Sequence, residues 1–151
     1  KCRTVGDFEV FIGECRQYID TTGRSSIPAK MRLECGEKVY VTRGNEGCLA
    51  IYTVEGWENY YQSLMTLPKR KAEVRTFIRL VTSRATDCEF DKLGRINIPL
   101  VLRKEGNLQK ECVIVGAGDH IELWNSETWD HFYDDNMDHF DEISENIEDL
   151  D

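Results

Sequence analysis

Two stretches of thirteen residues decide the fold: D-T-T-G-R-S-S-I-P-A-K-M-R at 20–32 and D-K-L-G-R-I-N-I-P-L-V-L-R at 91–103. Both follow the pattern D-x-x-G-R-x-x-I-P-x-x-x-R, and their starts are 71 residues apart in the 151-residue chain. Six fixed positions that match without a gap are hard to obtain by chance. The sequence therefore contains an internal repeat.

The similarity continues downstream of both stretches. Val39-Tyr40-Val41 corresponds to Val113-Ile114-Val115, Leu49-Ala50-Ile51-Tyr52 corresponds to Ile121-Glu122-Leu123-Trp124, and Glu55 and Trp57 correspond to Glu127 and Trp129. Each copy is predicted to fold as strand, turn, strand, short helix, strand, turn, strand. In copy one these elements are 11–19, 24–27, 28–32, 38–42 and 48–53, and in copy two 86–90, 95–98, 99–105, 111–115 and 120–124.

Helices are predicted between the copies and after the second one. Val54 to Leu67 predicts one helix that Pro68 ends, and Lys69 to Ser83 predicts another with Val74, Phe77, Ile78 and Val81 on one face. A C-terminal amphipathic helix is predicted to pack on the body and to fray beyond about Ile143. Its apolar residues are Trp129, Phe132, Tyr133, Phe140, Ile143 and Ile147.

A single copy of roughly 43 residues is too small to bury an adequate core. We therefore expect the two copies to fold against each other as one body. Trp57 and Trp129 should then occupy equivalent places at the starts of the two helices that follow the copies.

The charge of the chain is strongly divided. The formal net charge is −9, but residues 126–151 hold 11 of the 28 acidic residues and no Lys or Arg. The remaining 125 residues hold all 19 basic residues and are slightly basic overall. The total charge therefore says little about the partners of the body, and the acidic tail should avoid nucleic acid.

The six cysteines form no C-x-x-C motif, and no histidine lies near them at a metal-ligand spacing. We expect reduced thiols, no zinc site and no cofactor. The sequence shows no signal peptide and no apolar run long enough to span a membrane, so we expect a cytoplasmic protein without a membrane partner.

With its duplicated motif, helical linker and E-L-W-x-x-x-x-W ending in order, the chain resembles the MraZ family, part of the SpoVT/AbrB superfamily. The resemblance covers roughly Phe11 to Trp129. It implies a β-rich α+β fold in which two AbrB-like swapped-hairpin half-barrels form one pseudo-two-fold β-barrel. It also implies a bacterial, nucleoid-associated transcription regulator that acts on its own division and cell-wall cluster promoter through short direct repeats, and a homo-oligomeric ring.

On this basis the chain divides into five segments. They are an N-terminal extension (1–10), repeat one (11–56), a helical linker (57–84), repeat two (85–128) and an acidic C-terminal helix and tail (129–151).

The repeated turn carries the predicted DNA-binding residues. Arginine can donate two hydrogen bonds to guanine or to a phosphate, and hydroxyl groups also contact phosphates. The candidates are Arg24, Thr22, Arg16, Lys30, Arg32, Arg95 and Lys92. The alternative is that Arg24 pairs with Asp20, and Arg95 with Asp91, only to brace the turn. We expect Arg24 to matter more than Arg95, because Asp87 replaces Arg16 in copy two.

The sequence departs from the family at two places. Thr22 stands where the family commonly has lysine, so one positive charge is missing from the first turn. Residues before Val10 have no counterpart in the usual family start.

The sequence also suggests two other classes of function. Asp-Thr-Thr-Gly is similar to the Asp-Thr-Gly of two-lobed aspartic proteases, but the extra threonine and Lys92 argue against a shared proton between the copies. No catalytic residues and no small-molecule substrate are therefore predicted. The second alternative is a protein-interaction module that inhibits an enzyme without binding DNA.

Overall fold

The computed structural model of the chain describes residues 4–5 and 8–147. Its strands are β1 (Thr4–Val5), β2 (Phe8–Glu9), β3 (Glu14–Tyr18), β4 (Arg24–Ser26), β5 (Lys38–Arg43), β6 (Leu49–Thr53), β7 (Thr86–Glu89), β8 (Arg95–Asn97), β9 (Glu111–Gly116) and β10 (Ile121–Asn125). Its helices are α1 (Ala29–Arg32), α2 (Val54–Met65), α3 (Ala72–Arg84), α4 (Leu100–Glu105), α5 (Ser126–Met137) and α6 (Phe140–Glu145). The rest of the predicted N-terminal extension, and the last four residues, lie outside this range.

The two repeats form a single body. One antiparallel sheet has the strand order β3-β9-β10-β6-β5-β7, so the first strand of each repeat pairs with the other repeat. The short strands β4 and β8 pair with each other and contact β3 and β7. No ladder joins β3 to β7 among the residues that the structure describes, so the sheet is not closed by hydrogen bonds. The prediction that the copies fold against each other is confirmed.

The first predicted strand, 11–19, begins later than expected. Gly13 has φ +101°, which breaks the extended backbone, and β3 starts only at Glu14. Phe11 instead forms an isolated antiparallel bridge with Gly118, and its side chain is buried. The strand pattern alone could not show this break, because glycine tolerates both extended and left-handed backbone.

The core is formed by aliphatic side chains that both repeats contribute. The strands supply them, and β6 is buried along its whole length; the short helices that follow Pro28 and Pro99 also contribute. Its fully buried members include Ile27, Val39, Val41, Leu49, Ile51, Ile96, Ile98, Leu102, Ile114, Ile121 and Leu123. Such a core cannot exist in either repeat alone, since the strands that enclose it are exchanged.

The last arginine of each thirteen-residue motif lies on the glycine of the other motif. Arg32 Nη1 donates to the carbonyl of Ile27 at 2.7 Å, and a Cβ at Gly94 would lie 2.4 Å from this nitrogen. Arg103 Nε donates to the carbonyl of Ile98 at 2.9 Å and lies against Gly23 in the same way. These reciprocal contacts explain why arginine and glycine are both fixed in the repeat.

The pseudo-two-fold axis passes between Ser25 and Ile96, which face each other at the centre of the β4–β8 ladder. Both side chains are fully buried. Ile96 fills apolar space, whereas the Ser25 hydroxyl has no hydrogen-bond partner among the described residues. An unpaired buried hydroxyl destabilises a fold, so the two repeats differ in local energy at this position.

The two helices that follow the repeats start alike. The Thr53 side chain accepts from Gly56 N and begins α2, and the Asn125 side chain accepts from Thr128 N and begins α5. Trp57 and Trp129 are each the fourth residue of their helix, which confirms their predicted equivalence. Trp57 stacks on Tyr40 of β5, and Trp129 packs edge-to-face on Trp124 of β10.

Helix α3 follows α2 and belongs to the linker between the repeats. It packs on β5 through Val81, whose carbonyl accepts from the Thr42 hydroxyl at 2.7 Å. Val74 and Ile78 are half-buried, whereas Phe77 is exposed. The predicted apolar face of this helix is therefore only partly covered.

The prediction of one C-terminal helix packed on the body is only partly correct. The segment forms two helices, α5 and α6, with a break at Asp138 and His139. As predicted, α5 packs on the body, because Trp129 and Phe132 contact Trp124 of β10. The later apolar residues Tyr133, Phe140, Ile143 and Ile147 are exposed, so only the first part of the amphipathic face is covered.

The cysteines within the described residues form no disulfide with one another, and all of them except Cys15 are buried. Burial raises the pKa of Cys48 to about 12 and the pKa values of Cys88 and Cys112 to about 11. These thiols therefore behave as small core residues rather than as nucleophiles. In the described residues, no helix is both long and apolar enough to cross a bilayer.

Replacing Gly94 with alanine tests the reciprocal arginine contact. Both Gly94 (φ +78°) and the control Gly47 (φ +87°) have left-handed backbone, but nothing lies within 4 Å of a Cβ at Gly47. We expect Gly47→Ala to cost about 1–2 kcal/mol of unfolding free energy from its backbone alone. Gly94→Ala should cost more, because the Arg32 guanidinium must move. In an Arg32→Ala background the two glycine substitutions should cost the same in urea denaturation, and an unchanged excess would contradict the contact.

Removing the Ser25 hydroxyl should not destabilise the protein. Ser25→Ala eliminates a buried polar group without a partner, so we expect unfolding free energy to stay constant or to rise by up to about 1 kcal/mol. The matched change Ile96→Ala on the other side of the axis should cost about 2–5 kcal/mol, because it leaves a cavity. Thermal melts of the two variants check this, and a clear loss of stability in Ser25→Ala would show that the hydroxyl has a partner.

Candidate nucleic-acid interface

The two repeated turns have the same hydrogen-bond scheme. In the first, Asp20 Oδ1 accepts from the backbone N–H groups of Thr22 (3.0 Å) and Arg24 (2.9 Å). In the second, Asp91 Oδ1 accepts from those of Leu93 and Arg95, both at 2.9 Å. The aspartates therefore hold each turn in shape through one oxygen, which leaves the other oxygen for the arginine.

The strands that follow the turns present four polar side chains on one surface. In the β4–β8 ladder Arg24 pairs with Asn97 and Ser26 pairs with Arg95. Because side chains alternate along a strand, these four point away from the core while Ser25 and Ile96 point into it. Arg24 and Asn97 are exposed, and Ser26 and Arg95 are half-buried. We call these four residues the ladder patch.

The two arginines are held to different degrees. Arg95 Nε donates to Asp91 Oδ2 at 2.8 Å, and Arg95 Nη1 lies 4.0 Å from Asp20 Oδ2. Arg24 Nη1 lies 3.6 Å from the same Asp20 oxygen, which is an ion pair but not a hydrogen bond. The Arg24 side chain is 44% exposed and the Arg95 side chain 31%. The interaction with aspartate therefore clearly braces the turn at Arg95, and it does so only weakly at Arg24.

Hydrogen bonding lowers the pKa of both aspartates. The backbone N–H of Arg24, the Thr22 hydroxyl and then the Arg24 charge lower the pKa of Asp20 to about 2. The backbone N–H of Arg95 also lowers the pKa of Asp91. Both carboxyls are therefore ionised at neutral pH and partly offset the arginine charges, which leaves the ladder patch polar rather than strongly basic.

Thr22, Lys92 and Lys30 lie close in sequence to this patch and are exposed. The Thr22 hydroxyl donates to Asp20 Oδ1 at 2.8 Å. Lys92 is within the second turn, and Lys30 is in α1, two residues after Pro28 of the first motif. The side chains of all three can extend into solvent around the ladder patch.

Two of the predicted site residues are engaged elsewhere. Arg16 lies on β3 in register with Val113, and its guanidinium forms an ion pair with Asp130 of the acidic helix α5. Arg32 is half-buried and lies on Gly94, as described above. The structure thus brings Arg24, Thr22 and Arg95 together around Asp20, but it does not add Arg16 or Arg32 to that group.

Ser26 and Asn97 were not among the predicted DNA-binding residues. Both stand two residues after the arginine of the repeated motif, and strand alternation by itself would have placed them on the arginine's face. What the sequence could not supply is the cross-strand register, which puts each of them opposite the arginine of the other repeat. Within the described residues, no cluster of His, Cys, Asp or Glu is suited to hold a metal ion.

The sequence matches the family described as "MraZ protein, putative antitoxin-like" twice, over residues 10–80 and 81–150. The chain belongs to the MraZ family. Its resemblance to that family and its β-rich α+β fold of two tandem repeats are therefore confirmed, and both family matches contain one copy of the thirteen-residue motif.

Curated relatives cover nearly the whole chain. The transcriptional regulator MraZ of Ligilactobacillus salivarius (strain UCC118) is 46% identical over 142 residues, which are 94% of this chain and 99% of the relative. The transcriptional regulator MraZ of Limosilactobacillus reuteri (strain DSM 20016) is 46% identical over 138 residues, with 91% and 97% coverage. Both of these relatives are named as transcriptional regulators.

The cause of the low Asp20 pKa can be tested directly. Because the backbone N–H of residue 24 is its main cause, Arg24→Ala should leave the pKa of Asp20 well below the usual value of about 3.9. Since the folded pKa is lower than the unfolded one, the turn's stabilisation is complete above about pH 4 and is lost as the pH falls through about 2. Carboxyl-carbon NMR titration checks this, and a return to the usual pKa in Arg24→Ala would show that the charge dominates.

Proposed function

We propose that this chain is a sequence-specific DNA-binding transcription regulator whose DNA contacts centre on the ladder patch. The observation that carries the proposal is that both repeats place an arginine and a small polar residue on one exposed two-stranded ribbon. A two-stranded ribbon fits the major groove of B-form DNA, where arginine recognises guanine and asparagine recognises adenine. The names of the relatives support the same function.

Within this proposal, Arg24 is the principal residue that contacts a base. It is more exposed than Arg95 and its ion pair is longer, so less interaction must be broken before it can bind DNA. Asn97 stands opposite it and can contact the neighbouring base. Thr22, Lys30 and Lys92 supply phosphate contacts, and Arg95 contributes less because Asp91 holds it. Arg16 and Arg32 retain only a peripheral part.

We further propose that the chain acts on the promoter of its own division and cell-wall gene cluster through short direct repeats. One ladder patch offers few charges, so a single subunit would bind weakly. A homo-oligomeric ring that engages several DNA repeats at once would give useful affinity. The proposed location is the cytoplasm, in association with the nucleoid. Footprinting of the purified protein upstream of its own gene tests the proposal, and the absence of any protected repeat would favour the protein-interaction alternative.

Replacing Arg24 and Arg95 should show whether each arginine contacts DNA or only stabilises its turn. A good arginine–guanine contact is worth roughly 1–3 kcal/mol, or about 5–150-fold in affinity per site, and the loss multiplies across an oligomer. We therefore expect Arg24→Ala to nearly abolish promoter binding, with Arg95→Ala milder. Both should keep the oligomer and a melting temperature close to that of the original chain. Fluorescence anisotropy with promoter and random duplexes measures this, together with thermal melts.

Arg32→Ala provides the contrasting result, because Arg32 packs on Gly94. Its melting temperature should fall, while the folded protein retains much of its promoter affinity. If Arg24→Ala binds promoter normally, or loses binding only because it unfolds, then Arg24 is a brace and the assignment fails.

Restoring the missing charge in the first turn should increase affinity. Thr22→Lys adds a cation beside the ladder patch, so promoter affinity should rise several-fold at low salt and the gain should shrink as salt increases. Gln62→Lys adds the same charge on exposed α2 and is the matched control. An equal gain in both variants would show that net charge alone controls binding.

A further inference from the structure

A cavity of about 460 Å³ lies between the outer face of the sheet and helix α3. Small-molecule sites in proteins commonly have volumes of about 300–1,000 Å³. Ala50 of β6 lines the cavity, and its register partners are Thr42 on one side and Glu122 on the other. The Thr42 hydroxyl donates to the carbonyl of Val81 and so anchors α3 at the sheet. The small side chain of Ala50 leaves room between the sheet and the helix.

Carboxylates are distributed along this cavity. Glu122 lies opposite Ala50, Asp119 lies three residues earlier in the β9–β10 turn, and Glu46 lies in the β5–β6 turn at the other end of β6. Three extended residues span about 10 Å, so the negative charges are spread in a line rather than gathered at one point. In the described part of the chain, Glu46 has no basic side chain within ion-pair distance.

The walls beside these carboxylates are aromatic and apolar. Tyr52 and Tyr60 stack with their ring centroids 4.9 Å apart, and α3 contributes Phe77, Leu80 and Val81. Phe77 and Leu80 are exposed, so the cavity is open to solvent on that side. Burial raises the pKa of Tyr52 and of Tyr60, so both phenols are neutral at neutral pH. Ring faces attract cations, and apolar side chains attract methylene groups, so these walls suit an organic cation.

The chain already places one organic cation of its own in this cavity. His120 Nδ1 lies 2.7 Å from Asp119 Oδ1, and His120 Nε2 lies 3.1 Å from Glu122 Oε2. The imidazole also stacks on Tyr52, with the ring centroids 5.2 Å apart. A neutral imidazole has a single N–H, so only the protonated ring can donate to both carboxylates. Two carboxylates and a ring face therefore hold a cation here whenever His120 is protonated.

Loss of the His120 proton changes this balance. Burial alone would lower the pKa of His120, but its hydrogen bonds to Glu122 and Asp119 raise the pKa above the ordinary value. Arg43 also lines the cavity, but its Nη1 lies 3.8 Å from Glu105 Oε1, which partly offsets its charge. The remaining titratable groups that face His120 across the cavity are Tyr52 of β6, Tyr60 of α2 and Glu46 of the β5–β6 turn. Once His120 is neutral, one carboxylate faces a nitrogen lone pair, and the cavity attracts another cation.

We propose that this cavity binds a linear aliphatic polyamine. Its ammonium groups pair with Asp119 and Glu122 on one side and with Glu46 on the other. Its methylene chain packs on Tyr60 and Phe77. A linear cation matches the carboxylates because they are spread along the cavity, and an organic cation uses the apolar walls, from which a metal ion would gain nothing. The ligand takes the carboxylates that protonated His120 holds, so ligand binding and protonation of His120 oppose each other. This inference goes beyond the proposed DNA binding and does not rest on it.

Titration calorimetry of the full chain with spermidine, without DNA, tests the site. Affinity should rise between about pH 5.5 and about pH 8, because His120 loses its proton over this range while spermidine stays a polycation. At the higher pH, Glu46→Gln with Asp119→Asn should weaken binding at least about 10-fold, since both charge-assisted contacts are lost. The matched control, Glu58→Gln with Asp134→Asn, removes two exposed carboxylates outside the cavity and should bind as the original chain does.

Proton NMR titration of the histidines gives a second readout. Spermidine should lower the pKa of His120, because it replaces the imidazolium on the two carboxylates. The chain has three histidines, and His131 and His139 lie in the acidic C-terminal segment. Their titrations should be unchanged, so they report any general attraction of spermidine to acidic surface. His120→Gln assigns the signal and should also remove most of the pH dependence of spermidine binding.

Four results would overturn the inference. They are no spermidine binding at about pH 8, equal binding by the cavity variant and the original chain, an equal loss in the control variant, and equal titration shifts at all three histidines. Mg²⁺ tests whether charge alone is enough: it should displace spermidine only weakly at equal concentration, and full displacement would reduce the site to an acidic surface. Promoter binding is measured separately, so each of these failures leaves the proposed function untouched.

Discussion

The contact on which the rest of the structure depends is the exchange between the two thirteen-residue motifs. Each motif forms its turn with its own aspartate, but it completes its strand and its packing on the other copy. Gly23 O accepts from Ile98 N at 2.8 Å, and Gly94 O accepts from Ile27 N at 3.3 Å. Together with the two arginine–glycine contacts, these bonds make each repeat a structural part of the other. The folding unit is therefore the pair.

This exchange also forms the candidate DNA surface. Since β4 and β8 meet antiparallel on the pseudo-two-fold axis, arginines that are 71 residues apart in sequence lie on one three-residue ladder. The two arginines are not equivalent, so the symmetry is imperfect. Asp91 holds Arg95 at hydrogen-bond distance, whereas Arg24 keeps a longer ion pair and more exposure. One duplicated motif thus supplies a more rigid arginine and a more available one.

Charge differs between the segments that follow the two repeats. The helical linker after the first repeat is basic, and the C-terminal segment after the second is acidic. Within a subunit the C-terminal segment contacts the sheet through Trp129 and Phe132, which pack on Trp124, and through the Arg16–Asp130 ion pair. The apolar side chains farther along the segment, Phe140 and Ile143 of α6, are exposed.

The sequence by itself determined the duplication, the order of strands and helices between Glu14 and Asn125, the equivalence of Trp57 and Trp129, and the positions of the two D-x-x-G-R turns. These features depend on local chemistry: turn residues, strand alternation and helix starts. Tertiary structure alone decided that Arg32 packs on Gly94, that Arg16 pairs with Asp130, and that Asn97 stands opposite Arg24. It also decided that the apolar side chains of α6, Phe140 and Ile143, remain exposed. Each of these facts depends on which distant segment arrives beside a residue, and the exchange of strands between the repeats sets that arrangement.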